Sequence, residues 1–72
     1  MKYANGNPAK MGDRVRLWKD YFGTIVCSID DDEYTSEFPK DEWSYLKVGI
    51  LIRADNGALI HYVEADEDFQ SV

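Results

Sequence analysis

Cys27 and His61 are the only thiol and the only imidazole in the chain. A cysteine nucleophile needs its base within hydrogen-bond reach and a third group to orient that base. Cys27 stands among Ile25, Val26 and Ile29, in a run with strand character. A thiol there behaves as a small hydrophobe, and burial raises its pKa and blunts it. His61 lies in an apolar strand and reads as a structural or an exposed strand histidine. Neither residue is expected to be catalytic. One Cys and one His cannot supply the four protein ligands of a structural zinc site. Asp30-Asp31-Asp32-Glu33 has the oxygens for a calcium loop but not the pattern. Tyr34 falls where the third ligand belongs, and no glycine lies between 30 and 45. The run is expected to be a solvated acidic loop without a metal. No phosphate loop and no Gly-x-Ser-x-Gly elbow is present. Carboxylates are abundant, but no concave, desolvated site for acid–base work is evident. The expectation is a protein with no catalytic residues, no cofactor and no metal.

Two other constellations suit binding. The first is Tyr34, Phe38, Trp43 and Tyr45, which share one segment with Asp31, Asp32, Glu33 and Glu42. These rings either roof a thin core or line a shallow groove edged by acids. A groove of that kind suits a basic or proline-containing segment of a partner protein. The second is Arg14, Arg16, Trp18 and Lys19, a basic face in which Trp18 can stack on a base. Nucleic acid is disfavoured, because phosphates would have to approach a chain with fourteen acids, eight bases and a net charge of -6. The acids are concentrated at 30–42 and 64–68, whereas 1–19 is basic. Such a dipole steers charged partners, and it also simply confers solubility.

The elements that must position these residues are short. Seventy-two residues make one domain, 1–72, with a small core. A single cysteine rules out an intrachain disulfide. The longest aliphatic run, Ile50-Leu51-Ile52, is far too short to cross a membrane. Met1–Pro8 lacks the apolar stretch of a signal peptide, so a cytoplasmic location is expected. No segment holds a 3.6-residue period; β-like runs recur between turn signals. Residues 1–11 read as a loop. Arg14–Lys19 reads as a strand with Val15 and Leu17 inward. Residues 24–29 read as a central strand. Residues 46–54 read as the strongest strand, 58–63 as its hairpin partner and 69–72 as a short last strand. Between strands two and three runs a long loop, 30–45, with one helical turn expected at 39–43 and Pro39 at its first position. At Asp55-Asn56-Gly57, a two-residue turn sets Ile52 opposite His61. A three-residue turn bulged at Gly57 instead sets Ile52 opposite Ile60 and groups Ile50, Ile52, Ile60 and Tyr62 on one face.

Gly12-Asp13-Arg14-Val15-Arg16-Leu17, with Gly23-Thr24-Ile25-Val26 after it, resembles the opening of SH3-like barrels of the KOW type. The chain is also similar to small bacterial proteins that begin Tyr-x-Asn/Asp-Gly, here Tyr3-Ala4-Asn5-Gly6, and reach a Gly-Asp-x-Val strand. The resemblance implies an all-β, five-stranded SH3-like barrel. It also implies a contact with RNA, ribosome or polymerase through Arg14, Arg16 and Lys19, although RNA-binding KOW domains are usually basic. The expected function is a non-catalytic protein–protein interaction module. The alternatives are such an RNA-contacting accessory and a small acidic, immunity-type inhibitor of a basic enzyme. The oligomeric state is left open by the sequence.

Overall fold

The structure, a computed structural model, describes residues 1–18, 20–64 and 69–72. Five strands form one antiparallel sheet: β1 (Arg14–Trp18), β2 (Tyr21–Ser28), β3 (Ile50–Ala54), β4 (Leu59–Tyr62) and β5 (Gln70–Ser71). Their order across the sheet is β4-β3-β2-β1-β5. The all-β expectation holds. The only helical pieces among the described residues are α1 (Lys40–Trp43) and a 3-10 turn at Ser44–Leu46.

Alternation decides which side chains enter the core. In β1, Val15 and Leu17 are buried, while Arg14 and Trp18 are exposed, as their spacing predicts. The run with apolar residues on both parities becomes β2, flanked by β1 and β3. The main core joins Val15, Leu17, Ile25, Ile50, Ile52 and Ala54 with Tyr3, Ala9 and Phe69, and Ile60 and Tyr62 pack against it. Each large aliphatic side chain so buried is worth roughly 1.5–3 kcal/mol. The hairpin adopts the bulged register, with Ile52 opposite Ile60 and Leu51 opposite His61. Gly57, at φ 93°, supplies the left-handed residue that this turn requires.

Several boundaries differ from expectation. The central strand read over 24–29 is β2, which begins three residues earlier, at Tyr21, and ends at Ser28. The strand predicted over 46–54 begins only at Ile50, because Lys47 (φ 69°) and Gly49 (φ 92°) both leave extended geometry. The helical turn begins at Lys40, so Pro39 is its N-cap and not its first residue. Residues 1–11 are more than a loop. Lys2 bridges to Pro8, and this pairing lays Tyr3 and Ala9 into the core. Lys19 and the acidic residues 65–68 lie outside the described residues.

Gly49 ties the long excursion to the sheet. Its N–H donates to Asp30 Oδ1 at 3.0 Å, and its carbonyl accepts from the Ile29 N–H at 2.9 Å. A Cβ at this position would stand 2.1 Å from the Tyr62 carbonyl oxygen. No other residue type fits.

Candidate functional site

Cys27, Leu51 and His61 stand in register across β2, β3 and β4. Leu51 therefore separates the thiol from the imidazole by two strand spacings, about 10 Å. Each group has a different partner. The Cys27 Sγ–H donates to the Phe38 carbonyl oxygen at 3.2 Å, and His61 Nε2 lies 2.7 Å from the Val48 carbonyl oxygen. Burial pushes the Cys27 thiol pKa up, against a smaller opposing pull from the Thr35 backbone N–H. This arrangement does not generate a thiolate.

The same row explains how the excursion is positioned. Ile25 and Ile52 pair on the core face; a register shift between Ile25 and Cys27 then sets Cys27 opposite Leu51, so that both point to the opposite face. Both are buried yet stand outside the main core. Over Cys27 lies the excursion at 35–38, held by the Cys27–Phe38 bond. Between this segment and the sheet lies a groove of about 410 Å³, lined in part by Thr24, Val26, Thr35, Phe38 and Arg53. Arg53 reaches across to Glu37 at 3.4 Å. The Thr35 hydroxyl oxygen is buried there without a hydrogen-bond partner among the described residues.

Beyond Phe38 the aromatics form a row. The rings of Phe38 and Trp43 are 5.7 Å apart, and those of Trp43 and Tyr45 are stacked at 6.1 Å. α1 and the 3-10 turn create this row, because they fold residues 43 and 45 back beside 38 within one short stretch. None of the three joins the main core, and Tyr45 is 67% exposed. The Trp43 indole N–H is buried with no acceptor among the described residues, so no hydrogen bond from it fixes the ring. Tyr34 is half-buried and stands outside this row.

The acidic run is woven into the fold. Asp30 Oδ2 pairs with the Met1 amine at 3.0 Å. Asp31 accepts from the Ser28 hydroxyl at 3.0 Å, Asp32 pairs with Lys40 at 2.9 Å, and Glu33 accepts from the Met11 N–H at 3.4 Å. Ser28 and Glu33 also exchange both backbone hydrogen bonds, at 2.8 and 2.9 Å, closing the turn. Asp41 and Glu42, on α1 beside Trp43, are exposed and have no ion-pair partner among the described residues. Among the described residues no group of three His, Cys, Asp or Glu is placed to hold a metal.

The basic face is partly committed as well. Arg14 pairs through both terminal nitrogens with Asp55, which raises its pKa and lowers that of Asp55. Arg16 donates to the Gln70 side chain at 3.3 Å. Trp18 is exposed, with its ring 4.9 Å from that of Tyr21. The groove beside Thr35 has little signature in the sequence. The threonine and serine at 35 and 36, between acids and rings, were its only signal.

Compared with known proteins, the chain matches no family model, no curated protein and no solved structure. No helix among the described residues is long and apolar enough to cross a membrane.

Proposed function

We propose that this chain is a non-catalytic interaction module on an SH3-like barrel, and that it captures a basic or proline-containing segment of a partner protein on the Phe38–Trp43–Tyr45 row. The barrel is supported by the antiparallel order β4-β3-β2-β1-β5. It is also supported by Phe69, whose ring lies 5.4 Å from that of Tyr3 and 4.8 Å from that of Tyr62, linking the two ends of the chain to β4.

One observation carries the binding reading: Tyr45 is stacked on Trp43 yet two-thirds exposed. A ring fixed on one face and open on the other is pre-organised, so little side-chain entropy is lost when a partner covers it. The segment 30–42 carries a net charge of -6. Ion pairs with the Met1 amine and Arg53 offset two of those charges, and the remainder attracts a cationic segment and repels phosphate. Glu42, with Asp41, faces solvent nearest the row. Asp31, Asp32 and Glu33 contribute at longer range while holding the turn. The alternative RNA contact through Arg14, Arg16, Trp18 and Lys19 gains less support, since Arg14 is already neutralised by Asp55.

The test is a selection from a random dodecapeptide display library, with wild type and Tyr45→Ala as parallel baits. We expect wild type to enrich peptides bearing Lys or Arg beside Pro or an apolar residue, and Tyr45→Ala to lose that enrichment. Enrichment that ignores Tyr45, or no enrichment at all, contradicts the proposal.

A further inference from the structure

β4 ends the sheet, and its pairing with β3 fixes which backbone groups it turns outward. The Ala54 N–H donates to the Ala58 carbonyl at 2.8 Å, which makes 54 and 58 a hydrogen-bonded pair. Alternation along an antiparallel ladder then makes Ile52–Ile60 and Ile50–Tyr62 hydrogen-bonded pairs. Arg53–Leu59 and Leu51–His61 are the non-bonded pairs between them. Leu59 and His61 therefore direct their N–H and C=O groups away from β3, and no described residue meets them.

An edge left in this state pairs readily with another strand, and proteins usually guard such edges with lysine, proline or a covering segment. Here no charged residue occurs from Asn56 to Val63. Leu59 and Val63 are 43% and 53% exposed. Among the described residues nothing guards this edge.

We propose that β4 is a homodimerisation edge, pairing antiparallel with β4 of a second copy about a two-fold axis at His61. Only an extended chain satisfies the outward backbone groups, and the pattern of this strand is complementary to itself. In that register Ile60 faces the partner's Tyr62, and Leu59 meets the partner's Val63 just past the end of β4. Two chains of net charge -6 repel when their acidic segments meet, and this pairing sets no acid opposite an acid. Two-fold pairing is closed, so it yields a dimer and not a fibre. The proposal stands apart from partner capture, because it uses neither Trp43 nor Tyr45.

Sedimentation velocity from 5 to 500 µM tests it, on wild type and on Leu59→Lys/Val63→Lys, with circular dichroism as the check on folding. Both substituted side chains are exposed, so the variant should keep its fold. We expect wild type to dimerise with a micromolar dissociation constant and the double variant to weaken this at least 100-fold. His61→Cys places two thiols opposite each other at a Cα separation compatible with a disulfide, and copper-phenanthroline should convert it to a covalent dimer. Wild type that stays monomeric at 500 µM overturns the proposal. So does a dimer indifferent to Leu59→Lys/Val63→Lys, or one in which His61→Cys fails to cross-link.

Discussion

The Cys27 thiol lies 3.2 Å from the carbonyl oxygen of Phe38, and this contact fastens the excursion to the back of the sheet. It joins a residue that looks like a nucleophile to a segment that looks like a free loop. The thiol serves as an anchor, and the loop is held down over Cys27. Opening the excursion is therefore the route by which a reagent reaches Cys27. At pH 7.5 we expect the native thiol to react with a disulfide reagent at least 100-fold more slowly than the urea-unfolded chain, because both burial and the raised pKa suppress the thiolate. Comparable rates would mean that the excursion does not cover the sulfur.

Gly49 is the steric weak point. Its positive φ and its 2.1 Å Cβ clash with the Tyr62 carbonyl leave an alanine nowhere to go. Gly49→Ala should cost more than about 3 kcal/mol, a large share of a small domain's stability. Urea denaturation reads this directly. A loss below about 1 kcal/mol would show that β4 can retreat from position 49.

Acid should weaken the fold through Asp30. The Gly49 N–H and then the Met1 amine hold its carboxyl below the usual carboxylate range. A group depressed in the folded state stabilises above its unfolded pKa of about 3.9, and that contribution disappears as pH falls through the folded value. Thermal midpoints should drop below about pH 4, and Asp30→Asn should flatten this limb. An unchanged limb in Asp30→Asn would assign the acid sensitivity elsewhere.

Alkali should act through Tyr3. Burial first, and then its 2.8 Å hydrogen bond to Asp13 and the charge of that carboxylate, push its pKa well up. The neutral phenol is favoured in the folded state. Its contribution is complete below the unfolded pKa of about 10 and is lost as pH rises from there toward the folded value. Tyr3→Phe should lower stability at pH 7 by about 1 kcal/mol, the worth of one hydrogen bond. It should also lessen the decline between pH 10 and 11. A decline identical in Tyr3→Phe and wild type would count against this assignment.

Much of the sheet was legible in the sequence because alternation is a local signal. Val15 and Leu17 announce their face. Asn56-Gly57 announces a hairpin but leaves two registers open, and only the pairing of Ile52 with Ile60 in the folded sheet decides between them. The start of β3 was not legible. Leu46-Lys47-Val48 has good strand composition, and only the tertiary demand that Gly49 touch both Asp30 and β4 pushes it out of extended geometry. Tyr3 and Phe69 were hidden for a similar reason. Each sits in a short polar stretch with no periodicity, and each is recruited by the other across 66 positions. At the candidate site, composition indicated the rings and acids. It did not indicate that Phe38, Trp43 and Tyr45 align while Tyr34 does not, because that depends on where α1 begins.

The chain contains two tryptophans, one on each candidate surface, so two indole N–H signals report on both at once. The most direct measurement is a ¹H–¹⁵N spectrum of wild type titrated in parallel with a lysine–proline repeat peptide and with oligouridylate. We expect the peptide to shift the Trp43 indole signal saturably and leave Trp18 in place, with the nucleic acid moving neither at 150 mM salt. A Trp43 signal indifferent to the peptide, or a Trp18 signal that follows the oligonucleotide, would contradict capture of a basic segment on the aromatic row.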